Sequence, residues 1–301
     1  MRIVFYGTPQ FAVASLEKIL SNGFNVVAVV TAPDRPAGRG MQLHQSDVKV
    51  CALKHTIPVL QPVNLKAPEF MEQLKLLKPD LQVIIAFRML PEMVWNFPPM
   101  GTMNLHASLL PDYRGAAPIN RAIMNGETKT GVTTFFLKHA IDTGNILMQK
   151  EVEILQDDDA GTLHDKLMEI GADLVVQSLK RIKAGDIKTT PQVVLPGHHE
   201  APKLFTKDCE IDWTKTVQQI YNQIRGLSPY PGAITHYQNK ILKIYKGYYL
   251  PEENTEPGIF ELDTNKQFRI SAADGWYYPT LVQPEGKRKM PVQDFVNGLK
   301  N

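Results

Sequence analysis

The chain has only two cysteines in 301 residues, Cys51 and Cys209. They lie far apart and lack CxxC or zinc-knuckle spacing, which excludes a disulfide framework and gives no zinc motif. Neither sign of charge is in excess: 33 Lys and Arg against 31 Asp and Glu leave a formal net charge of +2. A nucleic-acid partner would therefore have to be met by a local basic patch, because the molecule as a whole has no field to attract one. No apolar run reaches the ~18 residues of a membrane span. The opening Met1-Arg2-Ile3-Val4-Phe5 is too short for the apolar region of a secretory signal. No G-x-G-x-x-G follows the first strand-like run, which argues against a dinucleotide site. His198-His199 has no third ligand at sensible spacing and reads as a solvated dipeptide. The expectation is a cytoplasmic, monomeric protein with no metal and no membrane contact.

What is present is an ordinary globular composition, 43% hydrophobic and 21% charged, on a chain long enough for two domains. Compact β-branched runs at 2–6 and 25–31 flank a helical segment closing at Asn22-Gly23. Strand-like runs recur at 81–86, 101–106 and 131–138, with a helix at 68–78 before the first of these. This alternation predicts an α/β domain with a Rossmann-like, mostly parallel sheet. Leu163, Leu167, Ile170, Leu174 and Val175 give a helix over 161–184, with Asp157, Asp158 and Asp159 as its solvated entry. The stretch after it is broken by Pro191, Pro196 and Pro202 and reads as a linker. Beyond it, one amphipathic helix (Val217, Ile220, Tyr221, Ile224) and short β-like runs near 232–237, 240–246, 257–262, 267–272 and 277–282 suit a small OB-like β-barrel domain. The expected domains are 1–188, a linker at 189–207, and 208–301.

Chemistry concentrates in Asn104-Leu105-His106-Ala107-Ser108-Leu109-Leu110-Pro111. Asn104 and His106 stand two apart at the end of a predicted strand, so they share a face. Ligands of an open α/β sheet bind outside the carboxyl ends of its strands, which is where the pair falls. An amide donor beside an imidazole can stabilise an oxyanion and move a proton in one small space. The loop that follows, Asp112-Tyr113-Arg114-Gly115-Ala116-Ala117-Pro118-Ile119, suits a pocket rim. In Ile141-Asp142-Thr143-Gly144, Asp-Thr-Gly can be a plain turn, or Asp142 can orient His106 and raise its basicity. Spacing does not choose between the two.

NLHASLLPDYRGAAPI followed by IDTG resembles the signature of the 10-formyltetrahydrofolate-dependent formyltransferases. The resemblance implies catalytic roles for Asn104, His106 and Asp142, and a folate-binding wall formed by Ser108, Leu109, Leu110 and Pro111. Ala86-Phe87-Arg88-Met89-Leu90-Pro91 corresponds to the family's pteridine-side loop, which adds Arg88, Met89 and Leu90. Arg88 departs from the aromatic-Gly pattern of many methionyl-tRNA members and resembles the glycinamide-ribonucleotide branch.

Three further features resemble the methionyl-tRNA branch. Gly7-Thr8-Pro9-Gln10-Phe11-Ala12 stands where the glycinamide-ribonucleotide enzymes carry a glycine-rich phosphate loop, and Pro9 removes one of the N–H donors such a loop needs. Pro33-Asp34-Arg35-Pro36-Ala37-Gly38-Arg39-Gly40 is similar to that branch's insertion against the tRNA acceptor end, implying contacts from Arg35 and Arg39. Met41-Gln42 replaces the lysine-rich pair usual there. The linker and C-terminal segments, through Ala201-Pro202-Lys203-Leu204, Ile211-Asp212-Trp213 and Ile224 to Ala233, are similar to the same enzymes, with Lys203 and Lys207 as phosphate contacts. The implied partners are initiator methionyl-tRNA and 10-formyltetrahydrofolate as co-substrate. An amino-sugar nucleotide is the alternative acceptor.

Overall fold

In the computed structural model, residues 1–37, 42–253 and 256–299 are described. They divide into two compact units. The first comprises Met1–Arg114, Gly131–Val152 and His164–Glu200; the second comprises Gly115–Thr130, Glu153–Leu163 and Ala201–Asn301.

The first unit is built on a seven-stranded sheet in the order Ile146–Glu153, Lys129–Phe136, Thr102–His106, Leu81–Ile85, Arg2–Gly7, Asn25–Val30, Val59–Leu60. Arg2–Gly7 pairs in parallel with both neighbours, and Leu81–Ile85 pairs in parallel with Thr102–His106. The strand Lys129–Phe136 then runs antiparallel to Thr102–His106, so the sheet is mixed at the edge that carries the candidate residues. Ile3, Val4, Phe5, Tyr6, Val83 and Ile85 are buried on both faces, which is why these strands read as continuous apolar runs without alternation. Helix Gln10–Ser21 buries Phe11, Ala12, Leu16 and Ile19. It can start directly after the first strand because Gly7 has no Cβ; one there would come within 2.6 Å of the Ala12 Cβ.

The long helix Ala160–Ala184 follows the predicted stripe, with Leu163, Leu167, Leu174 and Val175 buried. Its acidic entry differs from expectation. Asp158 and Asp159 are buried at 4% and 9% exposure, not solvated. The Asp159 carboxylate accepts from the Thr162 N–H at 2.9 Å, and that of Asp158 accepts from the Leu155 N–H at 2.8 Å. Backbone donors, one in the first helical turn and one in the segment before it, repay the burial of the two carboxylates.

The second unit contains an antiparallel sheet in the order Ala233–Tyr237, Lys240–Pro251, Gly275–Pro284, Phe268–Ala272, Phe260–Leu262, with Met290–Pro291 also paired to Gly275–Pro284. Register shifts between Ile244 and Gly247 bend the longest strand. Helix Val217–Gly226, opened by a Thr216/Gln219 capping box, packs Val217, Ile220 and Ile224 into a core with Trp213, Leu242, Ile270 and Tyr277. A terminal helix, Val292–Gly298, completes the unit and was not legible in the sequence pattern.

Candidate active site

Asn104 and His106 leave the same face of Thr102–His106, as their spacing predicts. Asn104 is half-buried, and its carboxamide makes no hydrogen bond among the described residues. It sits between Ile84 and Phe135 of the flanking strands, so its backbone is fixed while its amide remains available.

His106 is 8% exposed. Its Nε2 lies 2.7 Å from the carbonyl oxygen of Tyr113. A carbonyl only accepts, so Nε2 carries the hydrogen and the neutral ring holds its lone pair on Nδ1. Nδ1 faces the Asp142 carboxylate at 3.8 Å. The orienting bond therefore comes from a backbone carbonyl that sequence reasoning did not find. Asp142 stands opposite the nitrogen that carries the lone pair, where a carboxylate would stabilise an imidazolium.

The DTG turn is built for that placement. Asp142 adopts φ 54°, a left-handed conformation that Asp tolerates better than most residues. Gly144 is buried, and a Cβ on it would lie 1.5 Å from the carbonyl oxygen of Phe136, so only glycine fits. Thr143 Oγ1 donates to the Ala140 carbonyl at 2.9 Å. Gln192, in the stretch read as a linker, donates from Nε2 to the carbonyls of Asp142 and Gly144, each at 2.8 Å. Its Oε1 accepts from Arg114 Nε at 3.0 Å and Nη2 at 2.6 Å.

Of the residues expected in the folate wall, Ser108 is fully buried and its hydroxyl donates to the Asp112 carbonyl at 2.6 Å. Leu110 is 3% exposed, with its N–H donating to Thr133 Oγ1 at 3.1 Å and its carbonyl accepting from Gln149 Nε2 at 2.8 Å. Leu109 and Pro111 are half-buried. The loop beyond them is more packed than a solvated rim: Tyr113 and Ala117 are buried. On the pteridine-side loop Met89 is 74% exposed and Leu90 only 7%. The exposed Arg88 donates to the carbonyls of Pro62 and Val63, the latter at 2.9 Å. Its guanidinium thus holds the loop after Val59–Leu60, a role the sequence did not suggest.

Arg35 is exposed on a short strand, Arg35–Ala37, that pairs antiparallel with Gln42–His44. Arg39 lies outside the described residues, as do Gly38, Gly40 and Met41. The base of this segment is anchored: Asp34 accepts from Lys49 Nζ at 2.5 Å and from Gln61 Nε2 at 2.8 Å. These bonds hold the Asp34 carboxyl below its ordinary range. Lys203 and Lys207 belong to the second unit, and both are exposed.

Both cysteines are free and buried. Burial and the neighbouring Glu17 push the Cys51 thiol up to about 12, so it stays protonated and is no nucleophile near neutral pH. Cys51, Glu17 and His55 offer metal-ligand atoms within 4.8 Å of one another. Hydrogen bonds account for the cluster, with His55 Nε2 2.8 Å and Cys51 Sγ 3.5 Å from the two Glu17 oxygens. No helix among the described residues is long and apolar enough to cross a membrane.

Residues 1–179 match the family model described as formyl transferase, and residues 203–300 match its C-terminal domain. The methionyl-tRNA formyltransferase of Bacteroides fragilis is 46% identical over 308 residues, covering 99% of this chain and 95% of that protein. Its counterpart in Phocaeicola vulgatus is 48% identical over 313 residues, covering 100% and 96%. Among solved structures, the N-formyltransferase of Helicobacter canadensis, determined with folinic acid and dTDP-3-aminofucose, superposes with a TM-score of 0.70 at 24% identity, covering 96% of this chain and 99% of that one. At that identity the likeness speaks for the fold alone.

Proposed function

We propose that this chain, which belongs to the methionyl-tRNA formyltransferase family, transfers the formyl group of 10-formyltetrahydrofolate to the α-amino group of methionine on initiator methionyl-tRNA. The observation that carries the mechanism is the disposition of His106. Tyr113 fixes one ring nitrogen and the other faces Asp142, while Asn104, two residues back on the same strand, carries an amide with no hydrogen bond among the described residues.

The neutral α-amine attacks the formyl carbon; a free α-amino group titrates near pKa ~8, so a usable fraction is neutral at cellular pH. The C=O electrons move onto oxygen, and the Asn104 amide donates to the oxyanion. His106 Nδ1 takes the amine proton, leaving an imidazolium between the Asp142 carboxylate and the Tyr113 carbonyl. Collapse of the tetrahedral intermediate breaks the bond to N10 of the folate. That nitrogen recovers a proton from Nδ1, and the products are tetrahydrofolate and formyl-methionyl-tRNA. For the folate we assign backbone and apolar contacts to Ser108, Leu109, Leu110 and Pro111, and apolar surface to Met89 and Leu90 with Arg88 bracing the loop. The exposed Met89 suits a planar ring. For the tRNA we assign phosphate contacts to Arg35, Arg39, Lys203 and Lys207. The protein acts in the cytoplasm, as a monomer.

Incubation with 10-formyltetrahydrofolate and either charged initiator tRNA or a nucleotide-linked amino sugar tests the substrate class. Formyl-methionyl-tRNA is the expected product. A formylated amino sugar with no formylated tRNA would overturn the reading. For Arg39→Ala we expect kcat/KM for the charged tRNA to fall about ten-fold, the scale of one charged hydrogen bond, with folate affinity unchanged. Equal loss of both, by initial rates and folate titration, removes the assignment.

A further inference from the structure

The stretch after Gly185 is broken by prolines and reads as a spacer, yet it is tied into the first unit at three places. Thr190 and Ile146 exchange backbone hydrogen bonds of 2.8 and 2.9 Å. Two residues on, Gln192 bridges Arg114 and the Asp142–Gly144 turn. Farther along, the His199 carbonyl accepts from the Tyr113 N–H at 2.6 Å, the His199 N–H donates to Asp112 Oδ1 at 3.1 Å, and the two rings stack at 5.4 Å. Tyr113 is the residue whose carbonyl holds His106, and Asp142 is the residue His106 faces.

We propose that Gln192 is a positioning residue for Asp142: its amide NH₂ holds the DTG turn by two carbonyls while Arg114 fixes its amide oxygen. The inference rests on the reading of His106 and Asp142 given above. Asp142 sits in a left-handed conformation that needs outside support. Two converging hydrogen bonds on one turn supply it. The chemistry at Oε1 settles which way the amide points. A guanidinium only donates, so both Arg114 nitrogens require the oxygen, and the NH₂ is thereby directed at the two carbonyls. A glutamate in this place would keep the partner of Arg114 and lose both donors. Gln192 is half-buried and touches no reacting atom in this scheme, so its influence reaches the reaction only through where Asp142 stands.

The test is a double-mutant cycle on the full chain with Gln192→Ala, Gln192→Glu and Asp142→Asn, read as kcat and as KM for each substrate, with thermal unfolding as the control for folding. We expect Gln192→Ala to lower kcat about ten-fold, roughly what one or two hydrogen bonds of positioning amount to in rate, with both KM values within about two-fold. Gln192→Glu should restore none of this. In the Asp142→Asn background the Gln192→Ala loss should shrink to less than about three-fold, because the group being positioned has gone. Wild-type kcat for Gln192→Ala, or an undiminished loss in the Asp142→Asn background, overturns the inference while leaving the assignment of Asp142 in place. Wild-type turnover for Asp142→Asn itself would overturn that assignment, and this inference with it.

Discussion

Replacing Asn104 by alanine is expected to lower kcat by about 10²–10³ with the fold intact. The size follows from the charge that develops at the formyl oxygen. A preorganised donor in a site that excludes water stabilises an oxyanion by about 3–4 kcal/mol, and its removal costs that much in the transition state. Intact folding follows from the position. Asn104 is half-buried, its carboxamide makes no hydrogen bond among the described residues, and its backbone is held by strands on both sides. Deleting the side chain therefore leaves no buried partner unsatisfied. Because the oxyanion exists only after attack, kcat should fall while KM for both substrates stays nearly constant. Asn104→Asp sharpens the test. It keeps the shape, replaces a donor by a negative charge, and should be slower than the alanine variant. Turnover by Asn104→Ala within about three-fold of wild type, measured on protein with an unchanged melting temperature, would remove Asn104 from the mechanism.

The central strands of the first unit were legible because burial on both faces leaves a mark that local pattern preserves, whereas the two-residue strand Val59–Leu60 is too short to leave one. Arg2–Gly7 is apolar from Ile3 to Tyr6 and Leu81–Ile85 everywhere but at the buried Gln82, and their ends fall within one residue of expectation. The long helix was legible for the corresponding reason, a stripe at helical spacing. Asn104 and His106 could be placed on one face by counting alone. What could not be read were contacts made by backbone atoms or across long separations. The Tyr113 carbonyl that sets the His106 tautomer exists at every residue of any chain, so its identity carries no signal. Gln192 reaches back 50 residues to Asp142 and 78 to Arg114. Its neighbourhood is rich in proline and lacks periodicity, which marks the absence of helix or strand and says nothing of what an irregular backbone is fastened to. Asp158 and Asp159 were read as solvated because carboxylates usually are; backbone N–H donors in the helix's first turn and in the segment before it reverse that preference. Gly144 was ambiguous for a related reason. A glycine that suits a turn and a glycine forced by a carbonyl 1.5 Å from its missing Cβ look alike in sequence.

His106→Gln should cost about 10²–10⁴ in kcat, the range for loss of a general base. Glutamine is the informative replacement because the imidazole does two things at once. Its Nε2–H satisfies the Tyr113 carbonyl, and its Nδ1 holds the lone pair to which the proposed mechanism sends the proton. A glutamine amide can donate to that same carbonyl from a similar reach, so the loop after Pro111 keeps its tie. A carboxamide oxygen is far too weak a base to accept a proton from the attacking amine. His106→Ala removes both functions. It also leaves a cavity and removes the hydrogen bond to the Tyr113 carbonyl at a site only 8% exposed, so it should lose stability as well as rate. The comparison separates the roles. If positioning of the loop were what matters, glutamine would recover most of the activity that alanine loses. If proton transfer matters, glutamine will recover the melting temperature and little of the rate. The second outcome is expected. Recovery of activity by His106→Gln to within about ten-fold of wild type would move the proton acceptor to another group and leave His106 as a brace for Tyr113.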